Sequence, residues 1–198
     1  MKNITFWSST SGRSGTSNNM IAVSTMAAVL YSLKTTLVQF DKESMPLNQA
    51  FEDEKHKNML GEEFSFYNRK GLDEVLEKSR LEKVEKSVIT NNLVNVKHTN
   101  LYYMPPSAKT DLELEESLDE HFIHMFFSGM KHFKSLNFID GINGTGEISE
   151  TLLRNSDLIV VNLYQGMDGI EEILENQLVR EKGIFIVGRY DQHSRENL

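Results

Sequence analysis

The chain contains no cysteine. That excludes disulfides, thiolate-held iron–sulfur clusters, cysteine nucleophiles and cysteine-ligated zinc. No apolar run approaches the roughly 20 residues that a membrane-spanning helix needs. The start, Met1 to Trp7, is a short apolar run followed by Ser and Gly. It lacks the charged start, long apolar stretch and small-residue cleavage site of a secretion signal. Together these absences predict an intracellular, cytoplasmic protein. No basic run stands out, and the formal net charge is -8. Tight non-specific nucleic-acid binding needs clustered Lys and Arg to displace counterions from phosphates, so nucleic acid is not an expected partner. There is no internal repeat and no low-complexity tail.

What is present suits one domain. With 198 residues and 39% hydrophobic composition, the chain is long enough to bury a sizeable core. Ile4 to Trp7 reads as a buried strand followed at once by a turn-rich stretch, Ser8 to Asn18. Met20 to Leu33 follows as a helix, apolar on nearly every side, the pattern of a helix packed against a sheet. Thr35 to Phe40 is a second strand, ending at Asp41. Strand, Gly-rich loop, helix, strand is a βαβ unit, which implies a parallel sheet and a right-handed crossover.

Further strands are expected at Leu101 to Met104, stopped by Pro105-Pro106, and at Leu136 to Asp140, Leu158 to Leu163 and Ile184 to Val187. Lys42 to Lys70 reads as a polar surface excursion with one short helix around Leu47 to Lys55. Helices are expected at Gly71 to Lys78, Leu81 to Val88, Leu112 to Phe133, Ile148 to Asn155 and Ile170 to Lys182. The expected fold is α/β: a doubly wound, mostly parallel sheet with helices on both faces, in a single domain over residues 1–198.

The loop after the first strand carries the chemistry. A Gly- and Ser-rich loop between a strand and a helix aims backbone N–H groups at a space beside the helix N-terminus, and both features favour a phosphate. The full pattern is G-x-x-x-x-G-K-[ST], with Lys on the β/γ-phosphates and Ser/Thr on Mg²⁺. Aligned on its last Gly, the pattern puts Gly15 in place, Thr16 where the Lys belongs, Ser17 on the metal position and Thr10 at the first Gly. The candidate phosphate-binding residues are Gly12, Arg13, Ser14, Gly15, Thr16 and Ser17. Arg13 is the only cation in the loop; it reaches a phosphate bidentately or points to solvent. The competing reading is a plain turn that caps the helix through Ser17 or Asn18.

Asp41 and Asp140 both fall at carboxyl ends of strands beside this loop, the edge where open α/β sheets bind ligands. Two carboxylates there suit a Mg²⁺ ion; alternatively each caps a helix or a turn. His121 and His124 are i, i+3 neighbours on one helix, but no third metal ligand is evident.

Ile4 to Asp41 resembles the opening of the ParA/MinD-type ATPases, whose loop usually reads K-G-G-x-G-K-[ST] and whose second strand ends in an Asp. The matching stretch is Ser11-Gly12-Arg13-Ser14-Gly15-Thr16-Ser17, with both family lysines replaced, by Ser11 and Thr16. The resemblance implies that Asp41 is the switch carboxylate that helps place the attacking water. It makes Asp140, at the end of Leu136-Asn137-Phe138-Ile139-Asp140, the metal-site carboxylate, with Ser17 as its partner on the ion. Ser156 to Leu163 and Ile184 to Asp191 resemble the later family strands, with Gly188 where an adenine-reading Asn would stand. The loop form Gly12-Arg13-Ser14-Gly15-Thr16-Ser17 is similar to that of the TadZ pilus-locating branch. Family members usually continue past the last strand, so the resemblance implies a fragment or a shortened relative.

Three functions follow. The first is a positioning or scaffold protein that binds ATP with Mg²⁺ weakly or not at all, and hydrolyses little. The resemblance implies that it forms a homodimer and meets a protein partner at a cell pole or in a membrane-associated complex. The second is an active ATPase in which another residue supplies the cation. The third is a flavodoxin-like FMN-binding protein, since Ser9 to Ser14 also resembles an FMN phosphate loop. Against it, none of Trp7, Tyr67, Tyr102, Tyr103, Tyr164 and Tyr190 lies in an obvious flavin-clasping loop.

Overall fold

In the computed structural model, the described residues are 2–12, 14–41, 46–51, 71–81, 84–131, 133–166, 170–188, 190 and 192–193. Arg13, Tyr67, His132, Asp191 and the end of the expected helix at Leu47 to Lys55 lie outside them.

The strands are β1 (Lys2–Trp7), β2 (Thr35–Gln39), β3 (Val94–Asn95), β4 (Leu101–Tyr103), β5 (Leu136–Asp140), β6 (Leu158–Tyr164) and β7 (Gly183–Gly188). They form one sheet in the order β3-β4-β2-β5-β1-β6-β7. Every pairing is parallel except β3 with β4. The five expected core strands are all in it. β6, Leu-Ile-Val-Val-Asn-Leu-Tyr, is buried through its centre because β1 and β7 flank it on both edges and helices cover its two faces.

The helices among the described residues are α1 (Thr16–Val29), α2 (Leu47–Phe51), α3 (Leu72–Leu81), α4 (Lys86–Asn91), α5 (Asp111–Glu115), α6 (Glu120–Met130), α7 (Glu147–Asn155), α8 (Ile170–Glu175) and α9 (Gln177–Lys182). α1 and α2 cover one face of the sheet, where Met20, Ala28 and Leu47 pack on Phe6, Leu37, Phe138 and Val160. The other face carries two clusters. Val38, Phe40 and Ile139 meet Leu72, Ile89, Phe122 and Phe126 from α3, α4 and α6. Trp7, Ile159 and Val161 meet Leu153, Ile173 and Val179 from α7, α8 and α9. Phe126 is the hub of the aromatic packing, with its ring 5.4 Å from Phe40 in an edge contact and 5.8 Å from Phe122.

Four expectations need correction. The single helix over Leu112 to Phe133 is two. Thr110 and Glu113 close a capping box on α5, and Asp119 then accepts the Phe122 amide and starts α6 afresh. The helix over Ile170 to Lys182 also divides, because Asn176 accepts the amides of Leu178 and Val179 and caps α9. The helix expected at Leu81 to Val88 lies later, as α4. α1 begins at Thr16 rather than Met20 and ends at Val29 rather than Leu33. The short β3 carries no burial signal, both of its residues being exposed.

The topology also disposes of one functional alternative. A flavodoxin places β1 directly beside β2. Here β5 stands between them. Trp7 is 2% exposed and its indole N–H is taken by Ser149 and Gly144, so it has no face to offer a flavin.

Candidate functional site

The site lies at the carboxyl edge of the sheet, where β1, β5 and β2 end side by side. Registration puts Phe6 beside Asp140, and Asp140 beside Gln39. Side chains two apart on a strand share a face, so Gln39, Asp140, Ser8 and Asn162 form a polar row on the α1 side. The amino-terminal turn of α1 meets that row: Ser17 bonds Asp140, and Asn19 bonds Asn162 at 2.8 Å.

The loop from β1 to α1 turns on two glycines. Gly12 has φ 76° and Gly15 has φ 71°, the left-handed region that costs a glycine nothing. A Cβ added at either would meet nothing within 4 Å, so both face open space. Gly15 is the N-cap of α1, with no side-chain capping bond. The capping alternative for Ser17 or Asn18 is thus not what holds the helix start. The helical ladder begins with the Asn19 amide on the Gly15 carbonyl at 2.9 Å. The amides of Thr16, Ser17 and Asn18 come before it and have no place in the ladder. Amides outside the ladder, a helix N-terminus and clear space are the geometry that suits an anion.

Thr16 stands where the motif has its lysine. It is 5% exposed, and its hydroxyl lies 3.0 Å from that of Ser14. It contributes a hydroxyl but no charge.

Asp140 is fully buried. Its Oδ2 accepts from Ser17 Oγ at 2.5 Å and from Gln39 Nε2 at 3.1 Å. Its Oδ1 is buried and makes no hydrogen bond. Burial pushes the carboxyl up from 3.8 to about 7; the Ser17 bond opposes this, the nearby Asp41 charge adds to it, and the Gln39 bond opposes it. An orphaned carboxylate oxygen beside a serine hydroxyl is a hard-oxygen donor set, which fits a Mg²⁺ ion. Thr10 Oγ1 is a second buried oxygen without a partner in the same loop.

Asp41 is 7% exposed and its Oδ2 accepts from Asn143 Nδ2 at 2.6 Å. Asn143 Oδ1 accepts the Ser8 amide at 3.0 Å. Asn143 therefore stitches the end of β2 to the end of β1. The loop that carries it is fixed by Trp7 Nε1, which donates to Gly144 O and to Ser149 Oγ.

The structure thus joins Ser17 and Asp140 directly and sets Asp41 close enough for its charge to act on Asp140. The histidines do not join them: His121 and His124 are exposed, His124 pairs with Asn155, and no metal-binding cluster of His, Cys, Asp and Glu occurs among the described residues. Sequence reasoning missed Gln39, Asn143 and Asn162. The signal for Asn162 was a lone amide inside an otherwise apolar buried strand, whereas Gln39 closes a strand that also holds Thr35 and Thr36 and gave none. It also missed why residue 188 is glycine. A Cβ there would lie 3.0 Å from the Ser14 carbonyl oxygen, so the end of β7 supports the loop by close approach.

No protein-family profile matches the chain. No curated protein matches it either. Solved structures do. A plasmid partition protein from Borrelia burgdorferi is 20% identical, covering 98% of this chain and 81% of its own, with a TM-score of 0.70. A ParA family ATPase from Chlorobium tepidum is 12% identical, covering 99% and 76%, with a TM-score of 0.71. The MinC:MinD cell division complex of Aquifex aeolicus matches at 16% identity, covering 96% and 70%, with a TM-score of 0.61. The seven-stranded, mostly parallel sheet with helices on both faces is therefore the fold of the ParA/MinD ATPases.

Proposed function

We propose that this chain is a ParA/MinD-like positioning or scaffold protein, which binds Mg-nucleotide weakly and hydrolyses ATP slowly or not at all. The observation that carries the reading is the pairing of an open, glycine-lined cradle with the orphaned Oδ1 of Asp140, and an uncharged Thr16 at the lysine position of the loop. The cradle amides would hold the phosphates. Ser17 and Asp140 would hold the Mg²⁺, whose chemistry when bound is to neutralise phosphate charge. Asp41, held by Asn143, would orient a water. What the site lacks is the fixed cation on the β/γ-phosphates. Phosphoryl transfer depends almost wholly on positioning and charge stabilisation, so this loss falls on turnover before it falls on fold.

A Borrelia burgdorferi relative of the same fold was solved bound to AMPPNP, which supports a nucleotide as the ligand class. The output on this reading is dimerisation or docking of a protein partner in the cytoplasm, in one domain spanning residues 1–198. The likeness of the Gly12-to-Ser17 loop to the TadZ branch favours a partner at a cell pole. Calorimetric titration with ATP and ADP, with and without Mg²⁺, tests the reading. Weak, Mg²⁺-dependent binding supports it, and no binding at any concentration refutes the nucleotide part.

A further inference from the structure

The first turn of α1 is tied to the sheet at two points, one on each side of β1. Ser17 Oγ donates to Asp140 at the end of β5, and Asn19 Nδ2 donates to Asn162 Oδ1 of β6 at 2.8 Å. In the sheet, β1 runs between β5 and β6. The two ties differ in kind. On the proposed reading Ser17 and Asp140 both turn to a bound Mg²⁺, so theirs changes with the ligand. Asn162 is fully buried, and its Nδ2 donates to Trp7 O at 3.3 Å and to Val160 O at 3.0 Å. A carboxamide nitrogen has two protons, and here both are committed to backbone carbonyls. Its oxygen is thereby held in one direction, towards α1, and what meets it there must be a donor. Asn19 is that donor. The Asn19 backbone amide also opens the α1 ladder, on Gly15 O at 2.9 Å. One residue thus fixes the helix start to the glycine before it and to the sheet beneath it.

We infer that Asn162 is a positioning residue for the phosphate cradle, holding the amides of Thr16, Ser17 and Asn18 in place through Asn19. The inference rests on the reading of this turn as the nucleotide cradle. It names the bond that keeps the turn formed when Ser17 and Asp140 engage the metal. Asn162 is wholly covered, so it acts through α1 and not on the ligand. Order supplied beforehand raises affinity, because binding then has less to immobilise.

The experiment is calorimetric titration of the full chain with Mg-ADP in the wild type, N19A, N162A, N19A/N162A and T110A, with urea unfolding of each. N19A and N162A should each weaken Mg-ADP binding about fivefold, the size of one hydrogen bond. The double variant should match either single one, because both remove the same bond. T110A loses the cap of α5 and should bind as the wild type does, which separates affinity from stability. Wild-type affinity in N19A, additive losses in the double variant, or an equal loss in T110A overturns the inference. Asn19 is only half-buried, so N19A keeps the test decisive if N162A fails to fold. Amide exchange by NMR without nucleotide is the second readout. In N19A and N162A the amide of residue 19, read relative to the buried Val38 and Ile139, should exchange about fivefold faster, while those of Ala27 and Ala28 stay within twofold. No change at residue 19, or equal quickening along the whole of α1, also overturns the inference. Failure of Mg-ADP to bind the wild type would sink the nucleotide reading and leave the exchange rates to decide the tie.

Discussion

Asp140→Asn should change how the stability of this protein depends on pH. Asp140 is fully buried, and its carboxyl sits at about 7 in the fold against 3.8 unfolded. A proton is therefore bound in the native state and absent from the unfolded state between those values. Stability contributed by this group is full at low pH, falls as pH rises from about 4 towards about 7, and is flat beyond. The gap converts to about 4 kcal/mol at about 1.36 kcal/mol per pH unit. Roughly 2–3 kcal/mol of it falls between pH 5 and pH 8. Asparagine has no such proton to lose. Its own costs, such as a buried N–H in place of Oδ1, are the same at every pH and drop out of the comparison. Urea unfolding of wild type and D140N across that range should show the wild type losing about 2–3 kcal/mol relative to the variant. Added Mg²⁺ should shrink the loss, because a cation on the carboxylate favours its ionised form. Parallel stability curves for the two proteins would refute the burial argument on which the site is built.

Other outcomes follow from the same geometry. Gly15→Val should abolish nucleotide binding by calorimetry, since it fills the open cradle and forces a β-branched residue to φ 71°. Thr16→Lys should strengthen ATP binding more than hydrolysis, measured by titration and phosphate release, because the second family lysine is still absent at Ser11. Phe126→Ala should cost about 3–5 kcal/mol in urea unfolding, since a fully buried ring between Phe40, Phe122 and Phe127 leaves a cavity. Thr110→Ala should cost only about 1 kcal/mol by the same assay, the typical value of a lost N-cap.

The core strands were legible because a parallel sheet covered on both faces needs continuous apolar segments, and Leu158 to Tyr164 is one. The meeting of Ser17 with Asp140 was legible only through the family resemblance, because 123 residues separate them and no local pattern joins them. Helix breaks at Asp119 and Asn176 were hidden for a different reason. Apolar periodicity runs on across both, while the interruption comes from one side chain accepting the next amides. Gln39 was invisible because a single amide in a strand says nothing of its partners until register sets it beside Asp140. The position of β5 between β2 and β1 is a property of chain crossings, which no local propensity encodes.

Turnover is where the proposed function is most exposed. Thr16 cannot supply the charge that a lysine brings to the β/γ-phosphates, and Ser11 cannot replace the second lysine. One lost charge contact in a water-excluded site costs on the order of 3 kcal/mol, or about a hundredfold or more in rate. Steady-state release of phosphate from Mg-ATP by the purified protein should therefore match that of its Asp140→Ala and Asp41→Ala variants. Steady release by the wild type that disappears when Asp140 or Asp41 becomes Ala would contradict the account and show an active ATPase.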